Sequence, residues 1–243
     1  MVTRLENLVF DCADPIALGT WWMTTLGWTA RFPQPDEIDV VAPGEDRWMP
    51  SLLFLTCADT KVGKNRVHLD LGTETAADHV GFVAELCDRG ATRVDLGQTD
   101  APWVVLADPE GNEFCVLEPR PRYLGCGRLA AVVIDSRDPL ALAQFWAQAS
   151  GWSIGYRDDD VVSLHRPSDR PPDIDFVRNV EPKLTKLRVH LDVAPTDGDS
   201  LRAEADRLVA AGAGEVDIGQ HDDPATDWIV LVDPEGNEFC VVP

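Results

Sequence analysis

Two six-residue stretches, RVHLDL at Arg66–Leu71 and RVHLDV at Arg188–Val193, carry a guanidinium, an imidazole and a carboxylate at alternate positions. Successive side chains of an extended strand point to opposite faces, so Arg66, His68 and Asp70 share one face, and Arg188, His190 and Asp192 repeat the arrangement. An imidazole beside a carboxylate can serve as a general base, and a guanidinium can steady an enolate or other oxyanion. The same residue types also have a plainer use, with Arg and Asp as a local ion pair near strand ends and His as a satisfied core residue.

Another stretch, DPEGNEFCV, occurs letter for letter at Asp108–Val116 and Asp233–Val241. Pro109 presets φ, Asp108 can bond back to its own backbone and Gly111 permits positive φ, so DPEGN reads as a hairpin turn and not as a catalytic motif. The strand that follows alternates, which puts Glu113 with Cys115, and Glu238 with Cys240, on a face where they are candidate ligand contacts. Trp48, Trp103 and Trp228 occupy loop or strand-edge positions from which an indole can stack on a planar organic molecule. Trp21, Trp22 and Trp146 fall on apolar helical faces and are read as core. No G-x-S-x-G elbow, Cys-His-Asn signature or Gly-rich phosphate-binding fingerprint is present in the sequence.

These candidates recur because the chain repeats from end to end. DPIALGTWWMTTLGW (Asp14–Trp28) matches DPLALAQFWAQASGW (Asp138–Trp152), and WVVLADPEGNEFCV (Trp103–Val116) matches WIVLVDPEGNEFCV (Trp228–Val241). The expected domains are 1–120 and 127–243, joined by a linker at 121–126 in the Pro-, Arg- and Gly-containing EPRPRYLGCG. Within a half, a strand at Leu5–Asp11 precedes a helix capped by Asp14 with Pro15 in its first turn and stopped by Gly27, and short strands follow. The second quarter repeats that order with a helix near Thr75–Arg89, giving four βαβββ units in an α+β protein.

Composition bounds the function. The 243 residues are 44% apolar and carry 42 acidic against 21 basic side chains, a formal charge of −21 that disfavours nucleic acid and anionic membrane surfaces as partners. No apolar run approaches the roughly 20 residues that span a bilayer, and MVTRLENLVFDCADP lacks a basic region leading into an apolar core, so the expected location is cytoplasmic. Six cysteines without C-x-x-C spacing are expected to be reduced, buried thiols.

Paired βαβββ units, a Gly-Trp after the first helix and a DPEGN hairpin before the last strand resemble the vicinal oxygen chelate superfamily, which includes glyoxalase I and bleomycin resistance proteins. The resemblance covers nearly the whole chain. It implies two tandem glyoxalase-like domains, each a cupped mixed sheet built from two βαβββ units, with a divalent metal inside the cup of active members. By motif register it places ligand positions at Asn7, Phe54, His68 and Cys115 in the first copy, and at Ala131, Phe176, His190 and Cys240 in the second. Phe54, Phe176 and Ala131 cannot donate to a metal, which leaves one His and one Cys per copy, short of the three protein ligands of a catalytic zinc site. No metal site and no other cofactor are therefore expected; the one alternative, a metal-dependent lyase or dioxygenase, would need an ion held by His68, Glu113 and Cys115 in a geometry unlike the family pattern.

Two functions remain open. In the first, the chain is a metal-independent small-molecule-binding protein, its ligand a secondary metabolite or antibiotic held by Trp, Arg, His and Asp side chains. In the second, it is a metal-free isomerase, cyclase or lyase acting on a carbonyl-containing metabolite, with His68 or His190 as base, Asp70 or Asp192 assisting and Arg66 or Arg188 at the oxyanion. A monomer or homodimer is compatible with either.

Overall fold

The computed structural model describes residues 3–97, 101–196, 200–219 and 227–243. The first quarter runs β1 (Thr3–Cys12), α1 (Pro15–Leu26), β2 (Thr29–Gln34), β3 (Glu37–Val41) and β4 (Ser51–Thr56). The second has β5 (Val67–Leu71), α2 (Ala76–Asp88), β6 (Thr92–Arg93), β7 (Trp103–Ala107) and β8 (Glu113–Leu117). The third has β9 (Leu129–Ser136), α3 (Pro139–Ser150), β10 (Ser153–Arg157), β11 (Val161–His165) and β12 (Asp173–Arg178). The fourth has β13 (Val189–Pro195), α4 (Leu201–Ala210), β14 (Gly214–Glu215), β15 (Ile229–Val232) and β16 (Glu238–Val241). All four quarters are thus βαβββ, and no described helix is long and apolar enough to cross a membrane.

Local chemistry sets the helix ends where the sequence places them. Asp14 accepts a hydrogen bond from Ala17 N at the start of α1, Pro15 occupies the first turn, and Gly27 closes the helix at φ 69°. Asp138, Pro139 and Gly151 repeat that device in α3.

Sheet pairing differs from the expectation that each half closes its own cup. One eight-stranded sheet has the order β14-β15-β16-β13-β1-β4-β3-β2, and the other β10-β11-β12-β9-β5-β8-β7-β6. The outer sheet therefore joins the first quarter to the fourth through antiparallel β1 and β13, and the inner sheet joins the second to the third through antiparallel β5 and β9. The repeats 1–120 and 127–243 are units of sequence, whereas each cup takes one unit from each. Strand register explains why sequence could not see this: β1 and β5 carry similar patterns, and both need a partner that the pattern does not name.

The main core is one cluster spanning both halves, and each half contributes an aromatic junction to it. Trp22 of α1 lies 5.1 Å from Phe114 of β8, and Trp146 of α3 lies 5.2 Å from Phe239 of β16, all fully buried. Replacing either indole by alanine would cost about 3–5 kcal/mol. The DPEGN turns reinforce the same junctions. Asp108 accepts from the backbone of Glu110 and Asn112 and from Trp22 Nε1, while Gly111 sits at φ 84°. Glu110 then reaches the start of α1, accepting from Ala13 N and Asp14 N, and Glu235 does the same for Arg137 N and Asp138 N. A carboxylate at a helix N-terminus satisfies orphan N–H groups and complements the dipole. The turn is structural, as read from sequence, and its acidic residue links two βαβββ units.

Candidate functional site

Each sheet encloses a cavity on its concave face. The outer one is about 380 Å³ and the inner about 290 Å³. Both contain the same frame from the repeated strands: Lys186, His190, Asp192, Trp228, Glu238 and Cys240 outside, and Lys64, His68, Asp70, Trp103, Glu113 and Cys115 inside. Asp11 and Asp135, at the far ends of β1 and β9, face the two cavities and pair with Lys186 and Lys64 respectively.

At the centre of each frame an imidazole, a carboxyl and a thiol converge, their ligand atoms within 4.8 Å of one another. Parallel pairing sets Asp70 beside Cys115 and Asp192 beside Cys240, and two-residue spacing brings in His68 and His190. His68 Nε2 lies 3.6 Å from Asp70 Oδ1, and His190 Nε2 lies 3.7 Å from Asp192 Oδ1. Among the described residues, Asp70 Oδ1, Asp192 Oδ1 and His68 Nδ1 are buried with no hydrogen-bond partner. A buried polar atom left unpaired is costly and points to an occupant or to water.

Burial sets the protonation states in the inner triad. Desolvation, with Lys64 nearby, pulls His68 down to about 3, so its imidazole is neutral. Desolvation and the charge of Asp175 push Asp70 up to about 7. Burial and Asp70 also push the Cys115 thiol well above its ordinary range. The imidazole is thus held in its unprotonated form, and the carboxyl is the group shifted toward neutrality. In the outer triad burial raises Asp192, and burial followed by Asp192 raises Cys240.

The walls opposite the frames differ. In the outer cup Asp39 of β3 pairs with Leu53 of β4, and in the inner cup Ser163 of β11 pairs with Asp175 of β12. The wall carboxylate has changed strands. Asp39 is bound by Arg31 at 2.6 Å, whereas Asp175 is hydrogen-bonded to Ser163 and pushed up to about 6, mainly by burial. The inner cup also receives Arg120, whose guanidinium lies 5.9 Å from the centre of the Trp103 ring. Tyr123, in the short turn Pro121–Tyr123, packs with Cys115 and Leu117 beside it. Arg120, Tyr123 and Asp175 were missed because a linker was read as passive and β12 was read one residue out of register.

That slip corrects the positions inferred from the resemblance. Phe54 and Phe176 are fully buried in the core behind the sheets, and the cavity faces of β4 and β12 belong to Leu53 with Leu55 and Asp175 with Val177. Asn7 faces the outer cavity, and Val133, not Ala131, faces the inner one. Arg66 and Arg188 line neither cup. Arg66 donates to Asn237 Oδ1 and to the carbonyls of Glu181 and Asp135, and Arg188 pairs with Glu110 at 2.7 Å. Both are bolts between the DPEGN turns and the opposite half. Trp48 is half-buried against the main core with Arg47 over its ring, outside both cavities. Glu113 and Glu238 line the cups but are held by Lys61 at 2.7 Å and Lys183 at 2.6 Å.

The triads also revise the donor count, from two per copy to three per cup, because Asp70 and Asp192 converge on the His and Cys. An imidazole, a carboxylate and a thiolate suit a thiophilic divalent ion such as zinc, and the unpartnered Oδ1 atoms fit that use. Coordination would require each Cys to release a proton that burial and the neighbouring Asp hold in place.

Comparison with known proteins places this geometry. The family profile described as "Glyoxalase-like domain" matches twice, over residues 7–117 and 131–242. Glyoxalase I from Zea mays superposes with a TM-score of 0.62 at 13% identity, covering 99% of this chain and 92% of that one. A candidate dioxygenase from Bacillus subtilis subsp. subtilis str. 168 gives 0.59 at 12% identity, covering 98% and 84%. At such identities these similarities concern the fold alone. No curated protein matches the chain.

Proposed function

The chain belongs to the glyoxalase-like domain family, a small-molecule-binding fold, and from that premise we propose that it binds a small organic molecule in its cups without requiring a metal ion. A secondary metabolite or antibiotic is the expected kind of ligand. The observation that carries this reading is the unpartnered, buried carboxyl oxygen in each cavity, close to a half-buried tryptophan. An indole supplies apolar stacking area and the carboxyl supplies orientation, the division of labour expected of a small-molecule pocket.

Comparing native and denatured masses of untagged protein purified without chelator tests it. An organic mass released on denaturation, or organic ligand binding that survives dialysis against chelator, supports the reading. A stoichiometric metal whose removal abolishes ligand binding overturns it. An ion in this position would be held by His68, Asp70 and Cys115 or by His190, Asp192 and Cys240, and would polarise an oxygen of the ligand.

A catalytic reading is favoured by the placement of buried Asp70 3.6 Å from the His68 imidazole, where burial pushes its carboxyl up to about 7. In that reading Asp70 takes and returns a proton on a carbonyl-containing metabolite, as an isomerase, cyclase or lyase requires, while His68 hydrogen-bonds the substrate. The original assignment of Arg66 to the oxyanion gives way to Arg120, which faces the inner cup. Its signature is turnover lost in Asp70→Asn with ligand affinity changed less than tenfold; equal loss of both counts against it.

A further inference from the structure

The two cups share a frame, so a difference in their ligands must come from the walls. Among the described residues, seven carboxylates and two cations line the outer cavity, against four and three in the inner. The excess lies in Glu6, Glu37, Asp39 and Asp227, of which Glu6 has its own cation in Arg4 and Asp39 in Arg31, leaving Glu37 and Asp227. Acidity alone would say little in a chain of charge −21. The inner cup, in the same chain, is nearly balanced by Arg120, Arg178 and Lys64.

A second observation makes the outer cup a site. Asp192 is 5% exposed, faces the cavity and keeps Oδ1 without a partner. Asp39 Oδ1, on the opposite wall, is also buried and unpartnered; Asp70 Oδ1 and Asp175 Oδ1 match them in the inner cup, so the cups differ in the charge around these atoms. A carboxyl oxygen in that state is best satisfied by a charged donor, because charge-assisted hydrogen bonds are shorter and stronger than neutral ones. Trp228, on the same cavity, offers an aromatic face, which attracts a cation as well as an apolar body.

We infer that the outer cup is specific for an organic cation, an ammonium or amidinium group on an apolar or aromatic body, with the charged head between Asp192 and Asp39 and the body against Trp228. The inference rests on the proposed small-molecule function and adds the ligand's charge. Burial and the neighbouring Asp36 and Asp39 push the Glu37 carboxyl above its ordinary range, and a cationic head nearby would draw it back down. An anion is disfavoured by the same wall, because among the described lining residues both cations, Lys186 and Arg31, are already paired with Asp11 and Asp39.

The test uses three probes of one shape, benzamidine, benzamide and benzoate, titrated into the intact chelator-dialysed protein by calorimetry at low and high salt. Benzamidine is expected to bind at least tenfold tighter than benzamide, with benzoate undetected, and to weaken as salt rises. Asp192→Asn and Asp39→Asn, each checked for folding by circular dichroism, should each lose about tenfold, whereas Asp175→Asn in the inner cup should change affinity less than twofold. Equal binding of benzamide and benzamidine, abolished by Trp228→Ala, overturns the cation preference and leaves the small-molecule reading standing. Benzamidine binding that appears only on adding zinc overturns the inference in favour of a metal-held ligand. Failure of every probe, in a protein that also carries no organic mass, overturns both.

Discussion

The outer and inner cups begin from one strand pattern and diverge at the wall that faces it. Each has Lys, His, Asp, Trp, Glu and Cys in equivalent places, held by equivalent ion pairs. In the outer cup the opposing carboxylate sits on β3 beside an arginine, whereas in the inner cup it sits on β12 beside a serine. The inner cup also receives Arg120, at the end of the first repeat, with Tyr123 of the linker packed against Cys115 and Leu117, and the outer cup has no described counterpart of them. A frame can thus be duplicated while ligand charge and proton chemistry are set by a few wall residues. Here the inner wall favours a titrating carboxyl and the outer wall a cation.

The harshest way to break the comparison is to cut the chain. Because both sheets cross the halves, residues 1–120 expressed alone should lack either complete cup and should aggregate or self-associate, and co-expression with 127–243 should restore a 1:1 complex. Size-exclusion chromatography with light scattering reads this directly, and a well-folded monomeric half would contradict the sheet order.

Next in size is the effect of pH on the inner carboxyl. Asp70 has its folded pKa raised to about 7, so its neutral form is the favoured one in the fold. The stabilisation is complete below the ordinary carboxylate pKa near 4 and is lost as pH rises through about 7. Asp70→Asn should therefore gain on the wild type between pH 4 and pH 8 by on the order of 3 kcal/mol in urea unfolding. Asp175→Asn should gain in the same direction over a narrower window, up to about 6, and should also lower the Asp70 pKa.

The tryptophans separate the cups. Trp228→Ala should weaken a ligand of the outer cup roughly tenfold to a hundredfold and leave an inner-cup ligand unchanged, and Trp103→Ala should do the reverse. Parallel changes at both sites, measured by calorimetry, would mean that the cups act as one. The smallest effect belongs to Arg31→Ala. Its exposed pair with Asp39 is worth less than about 1 kcal/mol of stability, yet its removal frees a wall carboxylate and should tighten benzamidine severalfold.

Much of this protein is local and was legible as such. Asp14, Pro15 and Gly27 fix a helix through hydrogen bonds and dihedral preferences that span a few residues, and DPEGN fixes a turn in the same way. The alternation that put His68 with Asp70, and Glu113 with Cys115, on common faces follows from strand geometry alone. Repetition supplied the four βαβββ units. Arg66 shows where that logic stops: it shares a spacing with His68, but it precedes β5 and is drawn away by the Glu235 hairpin of the other half.

What remained belonged to tertiary structure. Which unit pairs with which was decided by packing across the repeats, since nothing in a strand's own pattern names its neighbour. The Asp–Cys neighbours, and with them the third donor of each triad, arise only when β5 meets β8 and β13 meets β16. Burial in that sheet, and not residue type, pulled His68 down and pushed Asp70 up. Sequence determined the units and the chemistry available to them, because those depend on near neighbours along the chain. Tertiary structure decided which groups meet and in what charge state, because proximity and desolvation depend on neighbours in space.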